Sequence, residues 1–185
     1  MSEWTKKRRI MQRYDVTAQM YDMRYAEEQT AKIAAALESV DVKRHSVILD
    51  VGCGTGLLFN HVAEKAETIV GLDISRKVLL QAKERSRKFA NVHLIQADAD
   101  NLPFSDEVFS HVFAMTLIQN MPNPLKTLRE VDRVTKNDAV IVVTGLKKKF
   151  SLEDFVRLLH KIGLNIIEVK NENLKCYVAI CSKIH

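Results

Sequence analysis

Long apolar runs are missing from this 185-residue chain, so no segment reaches the roughly 20 residues that a membrane-spanning helix needs. The start, Met1 to Arg9, is polar and basic and lacks the apolar centre of a secretion signal. Cysteine is scarce, with three residues and no metal-ligand spacing. Cys176 and Cys181 lie five apart on one predicted strand, so they face opposite sides and cannot bridge each other. Unpaired thiols fit a reducing compartment, and the cytoplasm is the expected location. The six histidines are scattered, none beside a cysteine or carboxylate at ligand spacing, so no metal site is expected. Repeats, low-complexity tracts and linkers are absent too. One domain over 1–185 is expected, with an N-terminal helical arm or lid at 1–40 and a core at 41–185.

The net charge of +5 is modest. Basic clusters stand at Lys6-Lys7-Arg8-Arg9, at Arg85, Arg87 and Lys88, and at Lys147-Lys148-Lys149. Each by itself reads as a solvated face, and together they tilt the balance towards a polyanionic partner.

Against these absences stands one dense stretch, Val47-Ile48-Leu49-Asp50-Val51-Gly52-Cys53-Gly54-Thr55-Gly56. An apolar run, an aspartate and alternating glycines describe a buried strand ending in a tight turn. There the backbone approaches a ligand closely, because glycine has no Cβ and reaches positive φ cheaply. The helical spacing of Leu57 to Ala66 makes the turn feed a helix N-terminus, a unit that binds nucleotide-like cofactors. Its G-x-G-x-G spacing differs from the G-x-G-x-x-G of dinucleotide enzymes. Seventeen residues after Gly56, Asp73 closes a second apolar run, where a carboxylate can accept both ribose hydroxyls. Asp98 closes a third run, Val92 to Gln96, and reaches the same sheet edge.

Strand and helix patterns then alternate. Strands are expected near 46–51, 68–72, 92–96, 108–114 and 139–144, and helices near 57–65, 75–89, 124–135 and 151–161, with Ser75 and Ser151 as N-caps. Before them, Trp4 to Arg13 and Tyr25 to Val40 read as two separate helices. Leu164 to Lys170 and Leu174 to Ser182, joined by Asn171-Glu172-Asn173, read as a hairpin. The pattern predicts an α/β fold: a doubly wound, mostly parallel sheet with helices on both faces, closed by an antiparallel hairpin.

The motifs Leu49-Asp50-Val51-Gly52-Cys53-Gly54-Thr55-Gly56, Gly71-Leu72-Asp73-Ile74-Ser75 and Gln96-Ala97-Asp98-Ala99-Asp100-Asn101-Leu102-Pro103-Phe104 together resemble the class I S-adenosylmethionine-dependent methyltransferases. The resemblance runs from about Tyr14 to the C-terminus and implies a seven-stranded sheet under an N-terminal helical lid. It implies S-adenosylmethionine as cofactor, cradled by Gly52, Gly54 and Gly56, with Cys53 a small packed residue of that loop. Asp50 would hold the loop, Asp73 the ribose, and Asp98 the adenine amine, while Ile74 packs on the ring and the backbone of Ala99 reads its edge. Thr116 would border the cofactor beyond the fourth strand. Tyr14, Tyr21 and Tyr25 resemble the family's lid over the methionine end, where aromatic rings suit a sulfonium.

Methyl transfer asks mainly for placement of a nucleophile and exclusion of water. The acceptor edge is expected at Met115 to Pro124, with Gln119, Asn120 and Tyr21 as the catalytic candidates. As loop caps, Gln119 and Asn120 have an equally good structural role. The Asn/Asp-Pro-Pro-Tyr/Phe motif of many amino-methylating enzymes is missing, and no cysteine lies at this edge for attack on a pyrimidine. The short connection Gly145 to Phe150 predicts an open site whose rim carries Lys147, Lys148 and Lys149 as substrate contacts. The leading expectation is therefore methylation of ribosomal or transfer RNA, with no DNA-specific signal and no membrane partner. A small-molecule methyltransferase is the alternative, followed by a protein methyltransferase and by a non-catalytic cofactor-binding subunit acting on a protein partner; a dehydrogenase is the remotest reading.

Overall fold

The computed structural model describes residues 2–183, without the side chains of 17–22 and 24. Helix α1 spans Glu3–Leu37, capped by Ser2, whose side chain accepts from the Thr5 amide. It is one continuous helix rather than the two separate pieces expected. No glycine or proline interrupts Glu3 to Leu37, so the polar aromatic stretch between Tyr14 and Tyr25 breaks the apolar period without breaking the backbone.

Strand β1 (Val47–Val51), helix α2 (Phe59–Val62), β2 (Thr68–Asp73), α3 (Arg76–Ser86) and β3 (Val92–Gln96) follow. Beyond them come β4 (Phe109–Ala114), α4 (Pro124–Val134), β5 (Thr135–Leu146), α5 (Leu152–His160), β6 (Leu164–Lys170) and β7 (Cys176–Lys183). The α2 segment is much shorter than the 57–65 expected. Its backbone bonds mix short and full turns, His61 N–H to Leu58 at 2.9 Å and Ala63 N–H to Phe59 at 3.0 Å, and no side chain caps it. Ser75, Asn123 and Ser151 cap α3, α4 and α5 by accepting the amides of Val78, Lys126 and Asp154.

The seven strands order as β3-β2-β1-β4-β5-β7-β6. β1 pairs in parallel with both β2 and β4, so the chain winds outward in opposite directions from this pair. Such a switch point leaves a crevice at the carboxyl ends of the strands. β7 runs antiparallel between β5 and β6. Alternation along the strands divides the core into two layers. Leu49, Val51, Val112, Ile141 and Val143 pack with Leu128 and Val131 of α4 and Phe155 and Leu159 of α5. Ile48, Ile69, Phe113 and Val142 pack with Ile33 and Ala36 of α1, Phe59 and Val62 of α2, and Leu79 and Ala82 of α3. Cys181 lies in the first layer and Cys176 in the second, as their spacing required.

Candidate active site

The glycine loop leaves β1 with Gly52, Gly54 and Gly56 at φ of +73°, +57° and +78°. The amides of Gly52 and Cys53 both donate to the Leu72 carbonyl, at 2.7 and 2.9 Å, folding the loop over the end of β2. Space as well as torsion demands glycine at Gly56, where a Cβ would stand 2.3 Å from the Phe59 ring. At Gly54 a Cβ would meet nothing within 4 Å, so that backbone faces the open cleft.

Asp73 locks this loop. Its Oδ2 accepts the Gly54 amide at 3.0 Å and its Oδ1 accepts the Ser75 amide at 2.8 Å. Burial raises its pKa, against the lowering effect of the amides of Ser75, Gly54 and Ile74. Asp50 is 4% exposed beneath the loop, and burial with the nearby Asp73 charge pushes its carboxyl from 3.8 up to about 8. Burial pushes the Cys53 thiol up as well, the opposite of the lowered pKa that activates a cysteine nucleophile. The loop is thus held by Asp73 through Gly54, a role the resemblance gave to Asp50.

Asp98 has a partner that the sequence reading missed. Lys7 of α1 donates to both of its carboxylate oxygens at 2.7 Å and also pairs with Asp100. Asp100 is buried and accepts the Thr127 hydroxyl. Burial lowers the Lys7 pKa, but the bonds to Asp100 and Asp98 outweigh it and leave the pKa raised.

The cleft extends from here to the end of β4. Gly52, Cys53, Gly54, Asp73, Ile74, Asp98 and Ala99 line it, with Thr116 and Asn120 beyond them. Helix α1 supplies Lys7, Ile10, Tyr14, Gln29 and Ile33, so the cleft is flanked by a helix rather than open as expected. Asp15 accepts the Ser75 hydroxyl at 2.5 Å, tying α1 to the end of β2. The Asn120 amide donates to the Tyr14 hydroxyl and the Thr116 carbonyl, both at 2.9 Å. Burial raises the Tyr14 pKa, so the phenol stays protonated. Tyr25 is half-buried on α1 and does not line the cleft, and the Tyr21 side chain lies outside the described residues.

Two groups of candidates are not brought to the cleft. Gln119 does not line it, and its buried amide oxygen has no hydrogen-bond partner among the described residues. Lys147, Lys148 and Lys149 are absent from its walls. Lys147 instead donates to the Asn171 carbonyl at 2.6 Å and lies over the Tyr177 ring. The antiparallel insertion of β7 beside β5 draws this connection towards the β6–β7 hairpin, away from the switch point. Lys7, Asp15, Gln29 and Lys32 went unread because a polar helix shows no pattern that points at distant strand ends.

The glycine cradle and the two strand-end aspartates fit an adenosyl cofactor in chemistry and placement. A family model described as "Methyltransferase domain" matches residues 49–143. A malonyl-[acyl-carrier protein] O-methyltransferase of a Marinomonas species is 31% identical over 150 residues, 80% of this chain and 55% of that protein. A demethylmenaquinone methyltransferase of Staphylococcus haemolyticus is 37% identical over 110 residues, 57% of this chain and 46% of that protein. The chain therefore spans about half the length of the curated relatives it matches. An S-adenosylmethionine-dependent methyltransferase structure from Aquifex aeolicus superposes with a TM-score of 0.80 at 18% identity, covering 92% of this chain and 98% of the other, which shows the shared fold. No helix among the described residues is long and apolar enough to cross a membrane, and no cluster of three or more His, Cys, Asp or Glu there would hold a metal. The chain belongs to the methyltransferase-domain family, the class I S-adenosylmethionine-dependent methyltransferases.

Proposed function

We propose that this domain transfers a methyl group to a small molecule with a substantial apolar body. The observation that carries this reading is the wall of the acceptor end. Met115, Leu117 and Met121 beyond β4 are apolar, with Tyr14, Gln29, Thr116 and Asn120 as polar points, and Ile10 and Ile33 of α1 add to the apolar lining of the cleft. An apolar cleft with a few placed polar groups suits a compact ligand that is largely surrounded. The curated relatives are named for malonyl-[acyl-carrier protein] and for demethylmenaquinone, neither of them a nucleic acid. The RNA reading drew on a lysine rim, but none of Lys147, Lys148 and Lys149 lines the cleft, and Lys147 bonds to the hairpin instead.

Bound in the cleft, S-adenosylmethionine supplies a methyl group already activated on a sulfonium. The chain's part is placement. The Gly52–Gly56 backbone takes the cofactor closely, Asp73 receives the ribose hydroxyls on the lone pairs its amide contacts leave, and Asp98 meets the adenine amine once Lys7 shares it. Ile74 and Ala99 border the ring, Tyr14 and Asn120 border the reacting end, and α1 excludes water.

The test is incubation of the domain with methyl-labelled S-adenosylmethionine and a cell extract later split into organic-soluble, RNA and protein fractions. Label in the organic-soluble fraction is expected. Label confined to RNA or protein would overturn the reading.

A further inference from the structure

Asn120 closes the short turn Ile118–Asn120 beyond β4, where its backbone N–H donates to the Leu117 carbonyl at 2.9 Å. Its side-chain nitrogen stands 2.9 Å from the Thr116 carbonyl and 2.9 Å from the Tyr14 hydroxyl. A backbone carbonyl can only accept, so the nitrogen and not the oxygen belongs on that side, and the two contacts engage both of its hydrogens. The side-chain oxygen, Oδ1, is left over. Among the described residues it has no hydrogen-bond partner, and it is not sealed inside the protein as the Gln119 amide oxygen is. Asn120 is half-buried and lines the cleft, so Oδ1 opens on the cleft.

The mounting of this oxygen is rigid. Thr116 holds φ +58°, a strained conformation for a β-branched residue that persists when its surroundings over-determine it. Its amide donates to the Thr144 hydroxyl at 2.6 Å, and its own hydroxyl donates to the Gln29 side-chain oxygen at 3.0 Å while accepting from Lys32 at 3.3 Å. With its carbonyl on Asn120, every polar group of Thr116 is engaged within the protein, and strain of this kind gathers at functional sites. Tyr14 fixes the same amide from the side of α1. Around Oδ1 the lining is apolar, with Met115, Leu117 and Met121. A ligand that covers an acceptor atom in such surroundings pays a desolvation cost unless it brings a donor.

We propose that Asn120 Oδ1 is the point at which this site reads its methyl acceptor, and that it selects neutral molecules presenting a hydroxyl or amine hydrogen over anionic or wholly apolar ones. This rests on the small-molecule reading above and deepens it. A donor hydrogen is drawn to the oxygen, an apolar group leaves it unpaired, and a carboxylate sets negative charge against it. Asn120 neither takes nor gives a proton. It binds and orients the acceptor, and Thr116 and Tyr14 are positioning residues that act through it.

The probes are 4-ethylphenol, 4-ethylaniline and 4-ethyltoluene, which share a shape, and 4-ethylbenzoate, which is an anion. Their binding is measured by equilibrium dialysis at neutral pH against the domain saturated with S-adenosylhomocysteine. The affinity ratios of phenol to toluene and of aniline to toluene should each be about tenfold larger in the unaltered domain than in Asn120→Leu, the effect of one hydrogen bond made or left unmade. Comparing ratios between two proteins cancels the probes' different affinities for water. Asn120→Ala, which also removes the amide, serves where Asn120→Leu fails to fold. Equal ratios in the unaltered domain and a folded variant overturn the proposal, as does benzoate binding that is tighter in the unaltered domain. If Asn120→Leu weakens S-adenosylhomocysteine but not 5′-methylthioadenosine, which lacks the amino-acid end, the oxygen serves the cofactor's ammonium and the proposal falls. Methyl transfer to the organic-soluble fraction with equal ratios overturns this inference alone. Ratios that depend on Asn120, with label found only in RNA, support the recognition and overturn the small-molecule reading.

Discussion

Replacing Asp73 by alanine tests the centre of the cofactor site. Its carboxylate holds the Gly54 amide at 3.0 Å and the Ser75 amide at 2.8 Å, with the Ile74 amide beside them, and the acceptor capacity that remains is for the ribose. A hydrogen bond to a charged group contributes roughly 1.5–3 kcal/mol, so losing the ribose contacts should weaken cofactor binding about tenfold to 150-fold. The upper part of that range is expected, because Gly54 also loses the acceptor that shapes the loop. Stability should suffer less than affinity: burial already raises the Asp73 pKa, so removing the carboxylate relieves a desolvation cost that partly offsets the lost amide contacts. The assay is calorimetric titration with S-adenosylhomocysteine at pH 8, alongside thermal unfolding of the cofactor-free protein. The unaltered domain should bind more weakly as pH falls through the raised Asp73 pKa, and the variant should lose that dependence. Affinity within twofold of the original, in a variant that still unfolds cooperatively, would refute the role.

Gly54→Ala should lower stability by about 1 kcal/mol from its positive φ alone, whereas Gly56→Ala should lower it by about 3 kcal/mol or more, since its Cβ would meet the immobile Phe59 ring at 2.3 Å. Equal losses in calorimetry would contradict that packing. Asp50 has a carboxyl raised from 3.8 to about 8 on folding, so the folded state binds its proton more tightly than the unfolded state. Its contribution to stability therefore falls as pH rises from about 4 to about 8, then levels, and Asp50→Asn should flatten that decline in denaturant titrations. An unchanged slope counts against the burial argument. Lys7→Met strands Asp100, which is 1% exposed, and should cost about 3–5 kcal/mol, with Asp100→Asn in the same chain restoring much of it. Urea unfolding of the two variants measures this, and a loss below about 0.5 kcal/mol would mean that the pair does not form in solution.

The half of the site built from strand ends was legible in the chain because its rules are local. Gly52, Gly54 and Gly56 take positive φ, and Asp73 sits at the end of the next buried run, so β1, its turn and β2 bring them together whatever the rest does. The doubly wound sheet and its closing hairpin were legible for the same reason, through apolar runs of strand length and turn residues between them. The lysine run 147–149 shows the limit. A block of like charge has no direction of its own: beside the antiparallel β7, Lys147 bonds to the hairpin, and none of the three lines the cleft. The partners from α1 were illegible for a different reason. Lys7 meets Asp98 across 91 residues, Lys32 meets Thr116 across 84, and Tyr14 meets Asn120 across 106. Such pairs depend on how a polar helix lies along the sheet edge, and no local period encodes that. Backbone chemistry decided where a nucleotide-like cofactor fits, whereas the packing of α1 against the strand ends decided which charges and apolar groups face the acceptor.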